Sequence, residues 1–267
     1  MPIVPVFMYH HVSPKKDDMI TVSPQTFEAH LQHIRHSGYK TVTLDELAAF
    51  VTGAGQIPDK SVVLSFDDGY LDNYVYAYPL LKQYGLKAVV FLVTGWVDAA
   101  TVANSNTKDI TEELKKTAVS HDEAKKLIAQ GQFNRVIMNW DMVKEADASG
   151  LVDFQSHTVS HKNCDLPMTT ELMSELKDSK EALEKNLSKP CRYLCWPKGR
   201  FSSGAVEAAK NIGYKALFTT QAGVVKKGDD LLALKRIAVK EGAQWFKSRL
   251  KVYTSPILSD IYLKIKG

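Results

Sequence analysis

Ser61-Val62-Val63-Leu64-Ser65-Phe66-Asp67-Asp68-Gly69 is an uncharged, β-rich run that ends in two adjacent carboxylates and a glycine. A short apolar run bounded by turn residues reads as a strand. Six more runs of this kind lie at 4–9, 88–93, 151–155, 192–196, 216–219 and 234–239. Between them the apolar spacing changes to a helical period. Phe27, Leu31 and Ile34 mark one helix, opened by Ser23-Pro24. Thr43-Leu44-Asp45-Glu46 is a capping box that opens a second. Segment 74–84 closes at Gly85 and 141–149 at Gly150, each glycine placed to take a left-handed C-cap. Segments 170–187 and 203–212 complete the set. Strands alternating with helices predict an α/β fold with a mainly parallel sheet.

Two further motifs follow strand-like runs directly: Ser156-His157-Thr158-Val159-Ser160-His161 and Trp196-Pro197-Lys198-Gly199. In parallel α/β folds, active sites gather at the carboxyl ends of the strands. The three motifs are therefore expected on one face. Two imidazoles and a carboxylate suit a borderline-soft divalent metal, and a second carboxylate is then free to move protons. That is the minimal kit for metal-assisted hydrolysis. Each motif has a bland reading by itself. Asp-Asp-Gly is often only a turn, and His-x-x-x-His is not rare in a chain with eight histidines. Successive residues leaving a strand point in different directions, so Asp67 and Asp68 cannot share one role.

At 267 residues the chain can bury a sizeable core, and we read residues 1–267 as a single domain. A polar stretch at about 97–135, with helical segments at 111–117 and 121–130, reads as an insertion near the active face. A formal charge of +4 without a long basic run gives no argument for nucleic acid. The cysteine count of three is odd. Cys191 and Cys195, if both on one strand, would be about 13 Å apart, too far for a disulfide. Buried thiols in a reducing compartment follow. The apolar start is too short for a signal h-region, and no segment is long and apolar enough to span a membrane. The chain reads as cytoplasmic; its oligomeric state is not legible.

The Ser-Phe-Asp-Asp-Gly run, the Ser-His-Thr-x-x-His run and the later Pro-x-Gly turn, in that order, resemble the motifs of polysaccharide deacetylases. These are the NodB-homology enzymes of carbohydrate esterase family 4. The likeness extends to Met8-Tyr9-His10-His11, Trp140-Asp141 and Gly213-Tyr214. It implies a distorted (β/α) barrel with fewer than eight strands, and removal of N-acetyl groups from amino sugars of a glycan or its precursor. It makes Asp67 the general base and Asp68, His157 and His161 the ligands of a divalent metal, by default Zn2+, with Co2+, Ni2+ or Fe2+ fitting the same set. The oxyanion falls to the backbone N–H of Lys198, and Tyr9, Trp196, Pro197 and Gly199 are expected around the substrate.

Two departures from the family pattern matter. Lys198 stands where the turn usually carries an aromatic residue. The last histidine is His161, so the histidine that many members place near the C-terminus as general acid is missing. A subgroup resembling bacterial poly-N-acetylglucosamine deacetylases carries it on the first strand, which points to His10, with His11 as the alternative. Arg236 on the last strand can orient Asp67. Trp140 is expected to pack under the site and Asp141 to cap a helix, while His30, His33, His36 and His121 read as helix-face residues. A related hydrolase acting on another N-acyl or an O-acetyl group would share these motifs. A phosphotransferase would space its carboxylates Asp-x-Asp and has no use for the histidine pair. A non-catalytic sugar-binding relic would be expected to have lost the base or a ligand, and all four residues stand.

Overall fold

The computed structural model describes residues 2–16, 18–103, 118–167 and 169–266. Seven strands close into a barrel: β1 (Val6–Tyr9), β2 (Ser61–Asp68), β3 (Ala88–Leu92), β4 (Val152–Ser156), β5 (Tyr193–Cys195), β6 (Ala216–Ala222) and β7 (Leu234–Ala238). Neighbours pair in that order, all in parallel, and the ring closes where Ile237 of β7 lies opposite Phe7 of β1. A two-residue strand, Lys40–Thr41, pairs only with the start of β2 and stands outside the ring. This is the distorted (β/α) barrel that the family likeness implies.

The ring is uneven. β4 and β5 share a single paired position, Ser156 opposite Leu194. Below it, the side chain of Gln155 substitutes for a ladder, its Oε1 accepting from the backbone N–H groups of Arg192 and Tyr193 at 3.0 Å each. Above it, His157 Nδ1 lies 2.7 Å from the carbonyl oxygen of Cys195.

Side chains alternate across each strand, and the alternation sorts them into two layers. Val63, Val89, Phe91, Tyr193, Cys195, Ala216, Phe218 and Leu234 pack together inside the barrel. Leu64, Phe66, Val90, Leu92, Phe154, Leu194, Leu217 and Ile237 pack outward under the helices. Continuing the inward set by two residues per step leads from Val63 through Ser65 to Asp67, and from Leu234 to Arg236. The period that builds the core thus delivers a carboxylate and a guanidinium to the top of the barrel interior.

The helices form where the sequence predicts them: α1 (Pro24–His36), α2 (Leu44–Thr52), α3 (Tyr78–Tyr84), α6 (Trp140–Ala148), α7 (Thr170–Leu187) and α8 (Ser203–Ile212). The capping box of α2 has both of its bonds. Four differences have local causes. The segment before α3 is a π-turn at Asn73–Ala77, so the expected helix over 74–84 is two pieces. Asn139 rather than Asp141 caps α6, its side chain accepting from the N–H of Met142 at 2.9 Å. Helix α4 (Thr94–Ala103) occupies the start of the expected insertion and α5 (His121–Ala129) its later part, while the helix expected at 111–117 lies outside the described residues. Two C-terminal helices, α9 (Ala243–Tyr253) and α10 (Pro256–Lys266), were not expected. No helix among the described residues is long and apolar enough to cross a membrane. Cys164, Cys191 and Cys195 are buried free thiols.

Candidate active site

Asp67 and Asp68 end β2, and Gly69 turns the chain out of the strand at φ 78°. Glycine takes that φ without strain, and a Cβ there would lie 2.5 Å from Leu92 Cδ2, so a larger residue would have to displace Leu92. Asp68 itself has φ 75°, a left-handed conformation that costs a non-glycine residue energy and turns its side chain out of the strand's alternation. Thr158, His161 and Lys198 share that conformation. Strained backbone therefore gathers on the face where β2, β4 and β5 end.

Asp67 points into the barrel and meets Arg236 in a bidentate pair, Nη1 to Oδ1 at 2.7 Å and Nη2 to Oδ2 at 2.8 Å. Arg236 is anchored in turn by Nε donating to the Thr219 carbonyl at 2.9 Å. Burial by itself would raise the Asp67 pKa, but the charge and hydrogen bonds of Arg236 outweigh it and hold the carboxyl well below the usual carboxylate range. Asp67 is ionised at any working pH.

Asp68 Oδ1 is buried without a hydrogen-bond partner. His157 Nε2 stands 3.5 Å from it and His161 Nε2 3.4 Å. The carbonyl next to His157 Nδ1 assigns the proton to that nitrogen, leaving Nε2 as a bare lone pair. Burial pushes His157 down to about 4, against the pull of Asp67 and Asp68, so the ring is neutral near pH 7. An orphaned carboxylate oxygen facing the His157 lone pair is repulsive unless a cation sits between them. Two ligands each about 2.0–2.1 Å from a tetrahedral ion are roughly 3.3–3.4 Å apart, close to these separations. The donor set fits a divalent metal. A second group, Asp67, His157 and Cys195, also lies close together. It fits poorly, because Arg236 engages both Asp67 oxygens and burial keeps the Cys195 thiol protonated.

The remaining expected residues divide. His10 Nε2 lies 3.9 Å from Asp67 Oδ2 with its side chain 22% exposed, so it faces the site. His11 does not: it is buried, with Nδ1 2.6 Å from Asp72 Oδ2 and its ring stacked on Tyr70. His11 Nε2 meets His121 Nδ1 at 3.1 Å, which gives His121 a structural partner rather than a bare helix face. Tyr9 is a core residue. It is 1% exposed, packs on Phe27 and Phe66, and its hydroxyl meets His30 Nδ1, so it is not placed to touch a substrate. Trp196 is fully buried and stacks on Phe201 beneath the turn at Pro197–Gly199, which leaves Lys198 as the exposed member of that motif. Trp140 packs in the core and donates Nε1 to Asp98 Oδ1 at 2.6 Å.

Residues 54–217 match the family model for polysaccharide deacetylase. The chain belongs to the polysaccharide deacetylase family. Among curated members, YxkH of Bacillus subtilis, whose name places it in the same family, is 27% identical over 239 residues, covering 90% of this chain and 72% of that one. The poly-β-1,6-N-acetyl-D-glucosamine N-deacetylase of Staphylococcus epidermidis is 27% identical over 233 residues, 84% of this chain and 69% of that enzyme. Among solved structures, the Streptococcus pyogenes deacetylase PplD in complex with acetate superposes with a TM-score of 0.75 at 26% identity, over 96% of this chain and 100% of that one. The deacetylase barrel thus accounts for nearly all of this chain. Family membership supplies the class of chemistry, carbohydrate deacetylation; Asp67, Asp68, His157 and His161 form the candidate site for it.

Proposed function

We propose that this deacetylase removes N-acetyl groups from a β-linked N-acetylglucosamine glycan by metal-assisted hydrolysis. The observation that carries the reading is the orphaned Asp68 Oδ1 between two histidine Nε2 atoms, beside an ionised Asp67. Asp68, His157 and His161 would hold the ion, which when bound acidifies water and polarises a carbonyl. Asp67 takes the proton of the attacking water. A carboxylate held this low by Arg236 is a weak base but a fixed and ionised acceptor. The Lys198 N–H donates to the oxygen of the tetrahedral intermediate. His10 gives a proton to the departing amine, since a free amide nitrogen is a poor leaving group. The names of the Staphylococcus epidermidis relative and others like it support poly-N-acetylglucosamine as substrate class. The intact base and ligand set argues against a sugar-binding relic.

The test is acetate release from β-1,6-linked N-acetylglucosamine oligomers, with and without chelator, beside Asp68→Asn. Release that chelator abolishes and zinc restores, and that Asp68→Asn lacks, is the expected outcome. Release that survives chelation overturns the mechanism, and no release from any N-acetylated glycan overturns the substrate class.

A further inference from the structure

Loop 157–161 carries two of the three metal ligands, yet it has no regular secondary structure and holds Thr158 and His161 at φ 69° and 61°. Such a loop needs its shape imposed from outside. Its five backbone N–H groups show how. His157 N–H donates to the Leu92 carbonyl at 2.8 Å, Thr158 N–H to Ser156 Oγ at 3.2 Å, and His161 N–H to Thr158 Oγ1 at 3.1 Å. The other two, from Val159 and Ser160, converge on one oxygen of Glu175 at 3.0 and 2.8 Å. Ser160 Oγ donates to the other oxygen at 2.5 Å.

Glu175 lies on α7, is 7% exposed, and spends its carboxylate on the loop between the two ligands. One turn on, the same helix presents Ser179, whose Oγ meets Ser156 Oγ at 2.8 Å. Residues four apart share a helix face, so α7 grips the loop on both sides of His157. The opposite side is closed by α4: Gly95 N–H donates to the Val159 carbonyl at 2.9 Å, and a Cβ at Gly95 would lie 2.7 Å from that oxygen. Two converging N–H groups form a concave donor pair that favours an anion, and a buried carboxylate is what occupies it.

We propose that Glu175 is a positioning residue that preorganises the two-histidine loop for metal before metal arrives. The inference rests on the metal-dependent reading and goes beyond it, because Glu175 touches neither the ligand atoms nor any substrate position. Its removal lets residues 158–161 relax from the left-handed conformations held at Thr158 and His161 and separates the two imidazoles.

The test uses metal-free protein. Glu175→Gln keeps the size but replaces the anion under the two N–H groups with a neutral amide oxygen and turns an NH2 towards the Ser160 hydroxyl; Ser160→Ala keeps the carboxylate and removes one bond. Zinc affinity is measured by competition with a chromophoric chelator, and backbone exchange by deuterium uptake of the peptide spanning 156–161. Glu175→Gln is expected to weaken zinc binding about 10- to 100-fold, to speed exchange in that peptide alone, and to leave KM for the glycan unchanged once zinc saturates. Ser160→Ala is expected to weaken binding less. Unchanged affinity and exchange in Glu175→Gln overturns the proposal. Should that variant instead lose protection throughout the barrel, Ser160→Ala decides: local weakening supports the clamp, and wild-type behaviour overturns it. Failure of the unaltered protein to bind zinc would overturn the functional reading, while the exchange measurement still judges the clamp.

Discussion

Removing Arg236 should expose how much of the barrel's stability is tied up in its buried pair with Asp67. Arg236 and Asp67 are both buried and joined by two short hydrogen bonds. Arg236→Met keeps volume and apolar packing but leaves a buried carboxylate without its partner. Stranding one member of such a pair costs about 3–5 kcal/mol. At about 2–4 °C of melting temperature per kcal/mol for a domain of this size, that is a drop of roughly 6–20 °C. The double variant Asp67→Asn, Arg236→Met strands neither charge and should recover most of the loss, with a coupling of at least about 2 kcal/mol in the double-mutant cycle. The pH response should reverse as well. With Arg236 present, Asp67 has a depressed folded pKa and contributes stability that is lost as pH falls towards that value. Without it, burial raises the carboxyl pKa, so the deficit of Arg236→Met shrinks as pH is lowered and the group takes up a proton. Urea unfolding of the four proteins at pH 7, pH 5 and pH 3 measures both effects, since the contribution with Arg236 present is lost only below about pH 3.8. An Arg236→Met within about 1 kcal/mol of the parent, or a double variant as unstable as the sum of the singles, refutes the argument.

Two other outcomes follow from histidines. His30 sits in the core, stacked on Phe246, and burial lowers its pKa from 6.5 to about 4. The unfolded chain takes a proton there that the folded state refuses, so stability is complete above pH 6.5 and falls as pH drops towards 4, by about 2 kcal/mol at pH 5. His30→Gln should remove that slope from urea titrations, and an unchanged slope would assign it to other groups. His10→Ala should lower turnover about 10²- to 10⁴-fold with zinc content unchanged, whereas His11→Ala should mainly lower the melting temperature by stranding Asp72; the reverse pattern in acetate-release and melting assays would exchange their roles.

The seven barrel strands are legible in the sequence because each is a local apolar run. Their closure is not: pairing of β7 with β1 joins residues at opposite ends of the chain, and no local period encodes it. The four central residues were equally legible, since Asp67-Asp68 and His157 to His161 sit in short motifs beside strand ends. Their supports were not. His11 meets Asp72 across 61 residues and His121 across 110, and Glu175 looks like any acidic residue of a helix until its neighbours are known. Tyr9 packs in the core rather than beside a substrate, because a motif adjacent to a strand end does not say which of its members faces inward. Helix α9 escaped notice because Gly242 supplies no side-chain cap, and the start signal was missing.

The seam between β4 and β5 sets a different tolerance for change than the rest of the ring. Elsewhere the barrel is held by backbone groups, which almost any residue supplies, so sequences can drift while the ladder persists. Across this seam, continuity passes through Gln155 and His157, and only certain side chains can carry it. His157 is answerable twice, once for closing the wall and once for facing Asp68. A substitution there opens the wall and takes a nitrogen away from Asp68 at once, so one side chain joins the continuity of the barrel to the shape of the candidate site.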